Sequence, residues 1–89
     1  MEINRVCQVA YREALAAQLK LLAIEDAMRL HRVAMTSLLD IGPGRFRASQ
    51  RERQVRLAEL VSASEAARLE FDHKWALFGA CHAKNPPPP

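Results

Sequence analysis

The side chains with the most chemical capacity crowd one stretch. Residues 41–56 hold five arginines, Arg45, Arg47, Arg51, Arg53 and Arg56, against one acid, Glu52. Guanidinium groups are forks matched to carboxylate and phosphate oxygens. A helix beginning near residue 50 would add unpaired backbone amides at the same place. Arg51 and Arg53 would then lie in its first turn, where the helix dipole favours anions. This is the setting of an anion site, for an acidic protein patch or for nucleic-acid phosphate. The plain alternative is a solvated, arginine-rich loop. Phe46 is the single aromatic among these arginines, and one ring is a weak stacking platform. Neither helix-turn-helix nor zinc-finger spacing nor an RNA-binding aromatic pair occurs.

The remaining reactive side chains form no catalytic set. Cys7 and Cys81 are expected as buried free thiols, because reduced cysteine is the rule in the cytoplasm. A disulfide between them is the alternative. His82 adjoins Cys81, but no CxxC or HxxxH spacing supports a metal site. His73 follows Asp72, and consecutive helical residues point apart, so they are no dyad. Ser62 and Ser64 have no recognisable histidine and acid partners, and no glycine-rich loop with lysine cradles a phosphate. The chain is therefore read as non-enzymatic, without cofactor, metal or small-molecule substrate.

These groups must be carried by helices. The chain has 89 residues, 49% of them hydrophobic, enough for one small ordered domain. Much of that fraction is Ala and Leu, which favours helix. No run of about 18 apolar residues could span a membrane. The N-terminus lacks the basic-then-apolar order of a signal peptide, which makes the cytoplasm the default. The size and style fit a bacterial protein. The net charge of +3 sits almost wholly at residues 41–56, since the flanking segments nearly balance.

Residues 2–40 read as one helix. Ile3, Cys7, Ala10, Ala14, Ala17, Leu21, Ile24, Met28, His31, Met35 and Leu38 alternate spacings of four and three, a coiled-coil-like seam. His31 is its polar member, expected to be buried and to fix register. Val6, Val9, Leu15, Leu19, Leu22, Leu30 and Val33 lie off the seam, so this helix needs more than one neighbour. Gly42, Pro43 and Gly44 are expected to stop it and reverse the chain within a turn at 41–48. The order Ser49, Gln50, Arg51, Glu52 is a capping box that starts a second helix at about residue 50, running to about 83. Its inner row reads Leu57, Leu60, Ser64, Ala67, Phe71, Lys74, Phe78 and Cys81, with Val61 and Trp75 flanking. A second capping box at Ser62–Glu65 leaves open a break there and three helices. Asn85 and the four prolines after it end the domain at about residue 84 and leave a short polyproline tail.

The expected fold is thus all-α: a long antiparallel hairpin in which residues whose numbers sum to about 88 lie level. Cys7 then faces Cys81, and Met28 faces Leu60. The second apolar stripe calls for a partner protein or a second copy. The stripe comprises Leu15, Leu19, Leu22 and Leu30, with Trp75 as a candidate anchor.

In the long amphipathic helix, the glycine turn at Gly42–Gly44 and the second helix through Leu57, Leu60, Ala67 and Trp75, the chain resembles in shape the small helical-hairpin co-chaperones of bacterial type III secretion. It is longer than these and richer in arginine at the turn. The resemblance implies a cytoplasmic chaperone or adaptor, acting through Leu15, Leu19, Leu22 and Leu30 to keep an aggregation-prone secreted subunit soluble. The rival readings are a dimeric nucleic-acid-binding regulator that uses the turn arginines, and a phage- or plasmid-encoded inhibitor.

Overall fold

The computed structural model describes the backbone of residues 2–36 and 43–88, and the side chains of residues 2–32 and 50–88. A 3-10 turn, Arg5–Cys7, leads into α1, Gln8–Thr36, and α2 follows as Pro43–Lys84. The helices pack against each other as an antiparallel hairpin. No strand occurs among the described residues.

The N-terminus is tied down by Asn4. Its side-chain oxygen accepts from the Val6 amide at 3.1 Å, and its carbonyl accepts from the Cys7 amide at 2.9 Å. These bonds satisfy two amides that a helix start would otherwise leave open. At the other end, the backbone amide of Asn85 donates to the Cys81 carbonyl at 2.9 Å, and its side chain donates to the same oxygen at 3.2 Å. The prolines then prevent further helix. The Asn4 side-chain amide also donates to the Pro86 carbonyl at 3.5 Å, linking the two chain ends.

The start of α2 differs from the sequence expectation. The helix begins at Pro43, not near residue 50, and Gly44 is inside it without a positive φ. Proline breaks a helix only from within. At the first helical position its missing N–H is one the helix does not need, and its φ is already helical. Once Pro43 starts the helix, residues 49 and 52 lie in its interior, so no helix begins at the expected capping box. The same holds for Ser62–Glu65: α2 runs through it without a break, so no third long helix forms. Gly42 and the rest of the expected turn at 41–42 lie outside the described residues.

Across the hairpin, the seam holds from Cys7 to His31 and from Leu60 to Cys81, but Leu57, expected on the inner row of α2, is 37% exposed. Cys7, Ala14, Ala17, Leu21 and His31 of α1 and its lead-in are buried, as are Leu60, Ala67 and Phe78 of α2. Small residues of α1 face large ones of α2: Phe78 packs with Cys7 and Ala14, and Tyr11, Trp75, Ile3 and Ala10 close over them. The register is the expected one, fixed at one end by Cys7 and Cys81 and along the flank by two cross-helix ion pairs. Lys20 meets Glu70 at 3.2 Å, and Lys74 meets Glu13 at 3.1 Å. Lys74, out of place on an apolar row, thus reaches a carboxylate beside the seam.

The molecule is a rod, 66 × 19 × 13 Å, with a radius of gyration of 19.6 Å. A compact domain of this length would have about 12 Å. Two helices provide one internal interface, so the far side of each remains in solvent. Among the described residues no helix is long and apolar enough to cross a membrane.

Candidate partner-binding face

The heptad that places Cys7, Ala14 and Leu21 inside places other residues on the opposite side of α1. Positions 12, 19 and 26 run along the middle of that outward face, positions 15 and 22 along one edge, and positions 9, 16, 23 and 30 along the other. Leu19 is 67% exposed, Leu22 48% and Leu30 67%. Val9, Ala16 and Ala23 are exposed too, while Leu15 is half-buried. Between Arg12 and Asp26 this face holds no charge on those rows. The face is therefore an apolar strip about 20 Å long at 1.5 Å per residue, closed at one end by a cation and at the other by an anion. Asp26 also accepts from Arg29 at 2.7 Å in an exposed pair one turn apart.

Trp75 is not on this face. It is half-buried in an aromatic group on the inner side, with Tyr11 edge-on at 6.1 Å, Phe78 at 5.7 Å and Phe71 at 6.2 Å between ring centroids. Its indole N–H is buried with no hydrogen-bond partner among the described residues. The structure thus brings Leu15, Leu19, Leu22 and Leu30 together and sets Trp75 apart from them, in the packing that closes the terminal end.

Arg51 and Arg53 are not in the first turn of α2, where the sequence placed them. Because α2 starts at Pro43, Arg51 and Arg53 stand about two turns inside it, where backbone amides are already bonded within the helix. Arg51 is exposed, Arg53 half-buried, and Arg56 donates to Glu59 at 3.4 Å on its own helix. The side chains of Arg45 and Arg47 lie outside the described residues. No helix N-terminus adjoins Arg51, Arg53 or Arg56.

The cysteines also depart from expectation. Cys7 and Cys81 form a disulfide with their Cα atoms 5.8 Å apart. The level register expected from the sequence brings the two side chains together on the buried seam, where they are within bridging distance. They are thereby removed as metal ligands or nucleophiles. Among the described residues no group of three or more His, Cys, Asp or Glu side chains could hold a metal ion.

One open groove of about 460 Å³ runs beside the seam, lined by Leu21, Glu25, Ser64, Glu65, Arg68 and Leu69. Its lining carries two acids, Glu25 and Glu65, and one cation, Arg68.

Some outward residues escaped the sequence reading. Leu69 of α2 is 71% exposed and Leu77 46%; both lie off the inner row and are legible as such once the heptad is counted. The charges that frame the leucines of α1, Arg12 and Asp26, are likewise visible in the spacing: each is seven residues from Leu19. Comparison with known protein families, with curated proteins and with solved structures gave no match.

Proposed function

We propose that this chain is a non-catalytic protein-binding protein, chaperone- or adaptor-like, that uses the outward face of α1 to cover an apolar helix of another chain. One observation carries the reading: Leu19, Leu22 and Leu30 stand 67%, 48% and 67% exposed along one helix that has a neighbour only on its opposite side. Each Å² of that apolar surface removed from water contributes roughly 25 cal/mol. A helix laid along it would add an interface of the helix-in-groove kind, anchored at positions three and four apart. The rest of the molecule serves as a rigid spine: a stapled hairpin whose seam holds α1 straight. The Cys7–Cys81 bridge supports work in an oxidising compartment rather than the reducing cytoplasm.

The test is a comparison of two baits. The natural chain and a Leu19→Asp, Leu22→Asp variant, matched for helical circular dichroism and for the Cys7–Cys81 bridge, are immobilised under identical conditions. The natural chain itself is included among the scored prey. The variant should lose the partners that the natural bait retains. Retention of every partner by the variant would show that this face binds nothing.

A further inference from the structure

We propose that the occupant of the α1 face is a second copy of this chain, packed α1 against α1 in antiparallel fashion about a two-fold axis beside Leu19. This rests on reading that face as a helix-binding surface and adds the identity of the helix. The argument is self-complementarity. Arg12 and Asp26 lie on the middle row, each seven residues from Leu19 and on opposite sides of it. A two-fold axis beside Leu19 brings Leu19 against its own copy, and sets Arg12 of each chain level with Asp26 of the other. A parallel pairing would set like charges together, which opposes it.

The edges obey the same symmetry. A two-fold axis that makes two helices antiparallel keeps each edge beside its own kind. On one edge Leu15 then meets Leu22 of the second copy, and Leu22 meets its Leu15. On the other edge Ala16 meets Ala23, and Val9 meets Leu30. The alanines let the two backbones approach at the centre while Val9 and Leu30 fill the ends. Val9, Leu19, Leu22 and Leu30 are 64%, 67%, 48% and 67% exposed in the single chain. The dimer would therefore be a four-helix layer with both α1 helices inside and both α2 helices outside. Asp26, already beside Arg29, would sit between two guanidinium groups, one from each chain.

The mass of the full chain, disulfide intact, decides the matter by sedimentation equilibrium. The natural protein should sediment at twice its 10.0 kDa chain mass. Leu19→Asp should weaken association by about a hundred-fold or more, since it buries two unpaired carboxylates at the axis. Leu19 is mostly exposed within one chain, so the variant should keep its helical circular dichroism. Arg12→Glu and Asp26→Arg should each weaken the dimer by about ten-fold. Mixing the two variants in equal amounts should restore it. In the mixed pair, each substituted position meets the other across the axis with opposite charge, and the unchanged Arg12 and Asp26 meet as before.

A natural chain that stays monomeric at high micromolar concentration overturns the proposal. So does a dimer that tolerates Leu19→Asp, or a mixture that associates no better than its components. A monomer that nevertheless binds other apolar helices through Leu19 and Leu22 would defeat this inference and leave the function proposed above standing.

Discussion

Cys7 and Cys81, 74 positions apart in the chain, are joined at the terminal end of the hairpin, within the same cluster as Phe78 and Ala14. The bridge closes nearly the whole chain into a loop. In the chain-entropy account, closing a loop of this length removes about 4 kcal/mol of unfolded-state freedom. Replacing both residues by Ala should therefore cost about 3–4 kcal/mol, read as a lower urea midpoint with an altered slope. A reducing agent should lower the midpoint of the natural protein similarly. Equal midpoints with and without reductant would show that the bridge adds nothing to the seam.

Phe78 is 7% exposed and packs on Cys7 and Ala14, whereas Leu69 of the same helix is 71% exposed. Phe78→Ala removes the largest buried side chain of the cluster and leaves a void that Tyr11 and Trp75 cannot fill without abandoning each other. A loss of about 3–5 kcal/mol is expected. Leu69→Ala should change stability by less than about 0.5 kcal/mol. Near-equal effects of the two substitutions in urea unfolding would mean that the packing order of α2 is not as described.

The seam is legible in the sequence because it is a spacing. Cys7, Ala14 and Leu21 recur every seven residues, and only one face of a helix can hold them. The facing row follows once a hairpin is assumed, which is why the sequence alone sets Cys7 level with Cys81. The start of α2 is not legible, because Pro43 and Ser49 are both good first residues and local chemistry does not rank them. The bridge escapes the sequence for a different reason: an assumed reducing compartment, not the geometry, weighs against it. The outward leucines can be read as uncovered, but their framing by Arg12 and Asp26 acquires meaning only when the face is known to be free.

Lys74 and Glu13 meet at 3.1 Å with side chains 29% and 51% exposed, and Lys20 and Glu70 at 3.2 Å with 62% and 42%. Both pairs cross from α1 to α2 and are satisfied only in the antiparallel register. Pairs this accessible are worth little: a coupling of about 0.5 kcal/mol is expected for Lys20–Glu70 and up to about 1 kcal/mol for the better-shielded Lys74–Glu13. Double-mutant cycles to Ala give both values. At about 1 M salt, where the screening length is about 3 Å, the first should vanish and the second should persist in part. Identical salt sensitivity would place Lys74 in solvent rather than beside the seam.

Among the described residues, His31 is the one polar side chain at a buried seam position, 9% exposed, and its Nε2 has no hydrogen-bond partner there. An imidazole nitrogen left dry and unpaired costs about 1–3 kcal/mol, while an apolar side chain of similar size there is close to free of penalty. Leucine also favours helix more than histidine does. His31→Leu should therefore stabilise the chain by about 1 kcal/mol, measured as a raised urea midpoint at unchanged slope. A polar residue kept at such a position serves specificity better than stability, as a lone polar side chain does in a coiled-coil seam. The same variant should then tolerate more than one pairing of chains, visible as a broadened mass distribution in sedimentation. An unfolding free energy that falls by about 1 kcal/mol or more would instead show that the imidazole has a partner and holds α1 in place through it.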